Sequence, residues 1–368
     1  MIPLFSVNIS DDVDDEIIKT LHSGYLSQGP RVEEFERLLE DYFYTSGVLT
    51  FNSCTSAITL ALRLLDLKPG DEIITTPMTC SATNVPILSF GATPVFADID
   101  SESGLIMPIF VADLLNEHTR AIMAVDWGGA PVNVQQLNKI AEYGQKRYGH
   151  RIAVIVDAAH AFATKHNAIP DFTCYSLQAI KHMTTADGGI LICKYLKDYS
   201  RAKRLRWFGI DREKGGLDSR INEDILEWGY KFHMNDLNAT IGIQAMKIID
   251  KVFNRHCVIA KRYDKRISSF YGKPKPNEGS YWLYTLRLPS EYLRDEFKKY
   301  MTDKGIMVSQ IHRRNDDYTV FSPYKQFVSA GVDFFSSVIC CIPINFGLKT
   351  ADINKIIDCC NRFAELHS

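Results

Sequence analysis

Three short segments of this chain are apolar almost from end to end: "EIIT" at Glu72–Thr75, "AIMAVD" at Ala121–Asp126 and "IAVIV" at Ile152–Val156. A strand with one face in water alternates apolar and polar residues. A strand without that alternation is covered on both faces, the situation of a parallel sheet between helices. Helical spacing fills the gaps, with Leu60–Leu65, Asn84–Phe90 and Val134–Arg147 reading as helices, and "LKPGDE" and "GATPVFADID" supplying turns into strands. The alternation predicts an α/β protein with a mainly parallel central sheet covered by helices.

Two helices precede this unit, Asp14–Leu21 and Val32–Phe43, and the alternation begins near Val48. Beyond about Glu223 the pattern changes. Met234–Val252 and His256–Phe270 read as helices, and "YWLYTLRLP" opens a smaller α+β segment in which helices Glu291–Lys304 and Asp352–His367 bracket a strand around "GIMVSQIH". The expected division is a large α/β domain with its N-terminal segment over residues 1–250 and a small C-terminal α+β domain over 251–368.

Composition excludes several classes. A net charge of −2 offers no broad positive field for a nucleic-acid backbone. The local cluster Arg201, Lys203, Arg204 and Arg206 reads as a solvated helix face. The nine cysteines form no zinc spacing and sit mostly in apolar runs, which suits a reducing compartment. The start, "MIPLFSVNISDDVDDE", lacks a positive leader with an apolar core, and no run of eighteen apolar residues occurs. No signal peptide or membrane contact is expected, and the cytoplasm is the default location.

Four features carry chemistry. In "NSCTSAITLAL", Asn52–Leu62, small hydroxyl residues precede a helix whose free N–H groups could receive a phosphate; an ordinary cap by Ser53 or Thr55 is the alternative. In "VIVDAAHAF", Asp157 follows an apolar strand at its carboxyl end, where such sheets place ligands, and could pair with a protonated ring nitrogen; His160 is near enough to join it. In "CYSLQAIKHMTTADGGILIC", Lys181 follows Ser176 by five residues and stands between two strand-like runs. Read alone this is a hairpin with a solvated lysine, but a desolvated amine could form a Schiff base. In "WGYKFHMNDLNATIGIQAM", Lys231 could reach a phosphate or be merely solvated. A phosphate site, a ring-nitrogen partner and a Schiff-base lysine together describe pyridoxal 5′-phosphate binding.

At these residues the chain resembles the DegT/DnrJ/EryC1/StrS family of pyridoxal-phosphate-dependent sugar aminotransferases. The likeness runs from "SGYLSQGPRVEEFE" through "GDEIITTPMTCSATN", "YSLQAIKHMTTADGG" and "GYKFHMNDLNATIG" to "GIMVSQIH". It implies the fold-type I transferase fold, a homodimer with shared active sites, and amination of a nucleotide-linked keto sugar with glutamate as donor. Carried over by position, it makes Lys181 the Schiff-base lysine and Asp157 the partner of the pyridine nitrogen. His160 then touches the phenolate side of the ring, and Thr55, Ser56 and Ser176 bind the phosphate. Lys231 takes the place of an asparagine given to the neighbouring subunit's phosphate.

The chain also departs from the family pattern. Cys54 replaces a turn glycine, Cys80 an aromatic residue that stacks on the ring, Asp126 a histidine, and His233 an arginine. Within the same fold a sugar dehydratase is the enzymatic rival, although the dehydratases replace the lysine that this chain keeps. A non-catalytic regulator is the other rival, and the Asp157–Lys181 pair argues against it.

Overall fold

The computed structural model describes residues 1–162, 164–212, 221, 224–275, 279–325 and 329–368. The change of pattern read near Glu223 lies outside the described residues. Seven strands form the main sheet: β1 (Val48–Phe51), β2 (Glu72–Thr75), β3 (Thr93–Phe96), β4 (Thr119–Val125), β5 (Ala153–Asp157), β6 (Phe172–Ser176) and β7 (Gly189–Cys193). Their order is β1-β7-β6-β5-β4-β2-β3. All neighbours are parallel except β7, which runs antiparallel to both β1 and β6.

The apolar strands are double-sided, as their sequence requires. Ile74, Ile122, Val154 and Val156 face one core with Phe35, Leu39, Leu137 and Ile243. Their neighbours Ile73, Met123 and Ile155 face the opposite core with Ile58, Leu62 and Leu205. Successive side chains thus supply the two layers alternately. The first layer comes from α2 (Pro30–Phe43), α6 (Val134–Tyr148) and α8 (Asp236–Met246), the second from α3 (Cys54–Arg63) and α7 (Leu196–Leu205). Helices α1 (Val13–Leu21), α4 (Ser81–Leu88) and α5 (Pro108–Leu114) complete the set before α6.

A second core gathers Ile259, Tyr263, Phe297, Ile353 and Phe363 around a two-stranded sheet of β8 (Tyr284–Arg287) and β9 (Ile339–Ile342). Around it lie α9 (Ile249–Arg266), α10 (Glu291–Asp303), α11 (Ala330–Val338) and α12 (Thr350–His367). The helix break read between Val252 and His256 falls at Lys247–Ile248 instead. The strand read around "GIMVSQIH" is also displaced. Ser309 makes a single antiparallel bridge to Cys341, and Ile311 then turns to φ 70°, so the partner of β8 is Ile339–Ile342. Positive φ is unusual for a β-branched residue and ends an extended run.

Arg206 is not on a solvated face. It is 1 % exposed, and Nη1 reaches Glu36 and the Thr50 carbonyl, the latter at 2.8 Å. Glu36 also accepts from Thr50 N at 2.7 Å and Thr50 Oγ1 at 2.8 Å, which locks α2 to β1. Arg201 likewise pairs with Asp66 and Glu227. Removing one member of a buried ion pair strands the other. Glu36→Ala should therefore lower stability by about 3–5 kcal/mol. Glu34→Ala on the same helix breaks a solvent-exposed pair with Arg31 and should cost under about 1 kcal/mol. Urea unfolding of the two variants tests the contrast, and equal midpoints would contradict it.

Candidate active site

Strands β6 and β7 are a hairpin whose connecting loop, residues 177–188, carries Lys181. The polar "TTADGG" sequence is consumed inside that loop. Thr184 Oγ1 donates to the Leu177 carbonyl at 3.2 Å and accepts from Ala186 N at 2.9 Å, while Thr185 Oγ1 donates to the Asp187 carbonyl at 2.8 Å. Thr185 N and Leu177 N close the base on the carbonyls of Leu177 and Gly188, both at 2.9 Å. His182, one residue after the lysine, is anchored at 3.0 Å to the Ser280 carbonyl. Lys181 therefore projects from a fixed loop rather than a solvated one.

It projects into a cavity of about 660 Å³ at the carboxyl end of β5. Asp157, Ser176, Thr55, Cys80, His160 and Lys181 all line it. Burial pulls the Lys181 amine down to about 8, although Asp157, Cys54 and Cys80 pull it upward. Desolvation does this without a neighbouring cation. Burial likewise raises Asp157, opposed by hydrogen bonds from Thr83 Oγ1 at 2.7 Å and Ala159 N at 3.1 Å and by the charge of Lys181. Burial, with Lys181, His312 and His182 adding to it, holds His160 well below the usual imidazole range. The Gly128 N–H donates to its Nδ1 at 3.3 Å, which leaves the ring proton on Nε2.

Sequence reasoning missed one wall of this cavity. Trp282, from the C-terminal part of the chain, stacks on His160 with centroids 3.9 Å apart, and the Lys181 amine lies 3.7 Å from its ring centre. Trp282 Nε1 donates to the Ile180 carbonyl at 3.0 Å, and Phe5 stacks on its other side at 4.9 Å. His312 lies parallel to His160 at 5.6 Å and is held down to about 4 by burial and by Lys181. Only the aromatic run "YWLY" hinted at Trp282. Nothing in "MIPLF" pointed Phe5 to the site.

The remaining sequence candidates divide. Thr55 is exposed to the cavity at the first turn of α3, whose N-cap is Ser53. Ser56 is not among the lining residues; its hydroxyl donates to Asn52 Oδ1 at 2.7 Å and meets Ser53 Oγ at 2.9 Å. Cys54 opens the helix, so the turn has no need of glycine there. Cys80 caps α4, and the aromatic surface comes instead from Trp282, His160 and Phe5. Lys231 is exposed and does not line this cavity. Asp126 is buried behind it, paired at 2.7 Å with His166, whose imidazole is lowered by burial but raised more by Asp126. His233 Nε2 meets Ser27 Oγ at 3.3 Å, and burial with nearby Arg206, Arg212 and Lys231 lowers it to about 4.

Comparison with known proteins is decisive. The profile of the DegT/DnrJ/EryC1/StrS aminotransferase family matches residues 7–361. The chain belongs to that family. It is a pyridoxal-phosphate-dependent sugar aminotransferase with the fold-type I architecture. The spore coat polysaccharide biosynthesis protein SpsC of Bacillus subtilis is 32% identical, with 93% of this chain and 92% of SpsC covered. Among solved structures, AtS13 from Actinomadura melliaura superposes with TM-score 0.92 at 33% identity, covering 98% of each chain. The sugar aminotransferase CalS13 from Micromonospora echinospora gives TM-score 0.93 at 29% identity, covering 98% of this chain and 100% of its own.

The cavity suits the cofactor. Its volume lies within the roughly 300–1,000 Å³ of small-molecule sites, and it offers an amine, a buried carboxylate and the open end of α3 for an anion. A lowered lysine is neutral above its pKa and protonated below it. Trace acylation of Lys181 in cofactor-free protein should therefore rise with a midpoint near pH 8, whereas an ordinary lysine has a value of 10.5. Peptide mass spectrometry would read the labelling. A midpoint near that of surface lysines would contradict the burial argument.

Proposed function

We propose that the chain transfers an amino group from L-glutamate to a nucleotide-linked keto-deoxy sugar, for amino-sugar biosynthesis. The observation that carries this reading is a neutral-poised amine, Lys181, and a buried carboxylate, Asp157, in one cavity. The name of SpsC supports a polysaccharide pathway for that relative, and we extend it to this chain. When bound, pyridoxal phosphate supplies an aldehyde that joins an amine and a ring that accepts the electron pair left on carbon. Lys181 Nζ takes the proton from the donor's Cα and later returns one to the sugar carbon that gains nitrogen, so one amine serves both halves. Asp157 holds the ring-nitrogen proton by a charge-assisted hydrogen bond. His160, with its proton on Nε2, is the donor toward the phenolate side. Thr55, Ser56 and Ser176 bind the phosphate, Ser56 through the turn it holds with Ser53 and Asn52, and Cys80 packs on the ring.

We further propose a homodimer, in which the exposed Lys231 reaches the partner's phosphate, and a division near residue 250 between the two cores. The nine free cysteines support work in the cytoplasm.

Lys181→Ala should abolish transamination with the fold intact, because the amine is chemical and packs as an end group. Residual activity above about a hundredth of wild type, given that proton transfer is typically worth 10²–10⁴-fold, would sink the assignment. Asp157→Asn should keep some cofactor and lose most turnover. A screen of nucleotide-linked keto sugars with glutamate, read by mass, tests the substrate, and no amination of any of them would refute it. The shared site has its own test. Lys231→Ala should weaken cofactor retention, since a charged contact is roughly twice as strong as a neutral one. Mixing Lys181→Ala with Lys231→Ala chains, with subunit exchange verified, makes heterodimers in which one site carries both defects and the other neither. Activity above that of either parent is expected. No gain would place Lys231 outside the partner's site.

A further inference from the structure

Asp157 ends a short chain of buried hydrogen bonds that begins at Thr79, itself one of the residues lining the cavity. Thr83 Oγ1 donates to Asp157 Oδ2 at 2.7 Å, and Thr79 Oγ1 lies 2.8 Å from Thr83 Oγ1. A hydroxyl has a single proton, so Thr83, having given its proton to the carboxylate, must accept from Thr79. Among the described residues Thr79 Oγ1 has no second hydrogen-bond partner. The chain therefore has a polarity. With Asp157 ionised, both hydroxyl protons are used. With Asp157 protonated on Oδ2 the order reverses, and the Thr79 proton, at the buried wall of the cavity, has no protein acceptor among the described residues.

The turn that presents Thr79 is held from a distant part of the sequence. Asn315 Nδ2 donates to the Thr79 carbonyl at 2.7 Å, and Asn315 N donates to the Pro77 carbonyl at 2.7 Å. Asn315 Oδ1 accepts from Asn84 Nδ2 at 2.9 Å, and Asn84 in turn donates to the Thr76 carbonyl and accepts from Thr75 Oγ1, both at 2.9 Å. Asn315 is fully buried. It follows by three residues His312, which lines the cavity with Ser309 and Ile311.

We propose that Asn315, acting through Thr79 and Thr83, is a positioning residue that keeps Asp157 ionised and so keeps the shared proton on the cofactor's ring nitrogen. This rests on the pyridoxal phosphate reading above. A proton between a ring nitrogen and a carboxylate settles on the stronger base. Burial strengthens the carboxylate as a base, and the Thr83 hydroxyl weakens it again. Losing that hydrogen bond would make the carboxylate a stronger base and shift the shared proton toward Asp157, where both partners would be neutral. Hydrogen bonds to charged groups are worth enough to move this partition by roughly ten- to a hundredfold.

The test uses full-length protein reconstituted with ¹⁵N-ring-labelled pyridoxal phosphate, read by the ring ¹⁵N chemical shift across pH. Thr83→Val keeps the shape and removes the donor. It should move the shift toward the unprotonated ring by at least about a tenfold change in partition. Thr83→Ser should restore the wild-type shift, which a purely packing role would not predict. Asn315→Leu should move it in the same direction by a smaller amount, and Thr79→Val takes its place if that protein does not fold. A wild-type shift in Thr83→Val with cofactor bound overturns the relay. A moved shift in Thr83→Val with none in the folded upstream variant removes Asn315 from it. Failure of the wild type to take up cofactor refutes the functional reading itself, and is thereby told apart from failure of the relay.

Discussion

The burial of one amine organises the site. An ammonium taken out of water loses hydration that no single neighbour replaces, so Lys181 stays buried only because its neutral form is accessible near pH 8. That condition needs a loop too rigid to let the side chain swing out, which the internal bonds of Thr184 and Thr185 supply. It needs a cover over the amine, which Trp282 supplies from the C-terminal part of the chain, packed with Met78 and Trp127. It also needs a compensating carboxylate at hand, because burial alone would carry the amine lower, and Asp157 is the first of the groups that oppose it.

The sheet places these groups by a close fit of backbones. Strand β7 is the one antiparallel member, and it returns the Lys181 loop directly against the first turn of α3. A Cβ on Gly189 would lie 2.4 Å from Cys54 N and from the Ser53 carbonyl. Since backbone cannot yield as a side chain can, only glycine allows the N-terminus of α3 to sit this near the lysine loop. Gly189, the second glycine of "DGG", thus sets the spacing between the lysine loop and the anion-facing end of α3.

Much of this was legible from residue pattern, and the failures have physical causes. The double-sided strands announced a covered parallel sheet because Ile73 and Ile74, or Ile155 and Val156, have no polar alternation to spend on solvent. The carboxyl end of an apolar strand pointed to Asp157, whereas Lys181 read alone as a solvated hairpin lysine and stood out only beside the phosphate and ring-nitrogen candidates. Trp282, Phe5 and His312 were not legible, since their placement depends on how the second core meets the first, which no local period encodes. Arg206 looked solvated because helical charge patterns do not reveal a partner such as Glu36, which lies 170 positions away in the sequence. Ile311 looked like strand because β-branched residues favour strands, whereas it stands at φ 70° with its N–H donated to Ser309 Oγ at 2.9 Å.

The departures from the family pattern read differently once their surroundings are known. Asp126, where a histidine would stand, brings a buried negative charge next to the strand that ends in Asp157, and unpaired it would oppose the ionisation of that residue. It is paired with His166, and Val132 N donates to its other oxygen at 2.9 Å, although its charge still works against the ionisation of Asp157. Cys80 gives up aromatic area on one side of the site, while Trp282 and Phe5 bring it from the C-terminal part of the chain and the N-terminal segment. In each case the lost group is replaced from a different part of the chain. Asp157, at the carboxyl end of β5, and Lys181, on the loop between β6 and β7, are held by strand ends that carry both layers of the core.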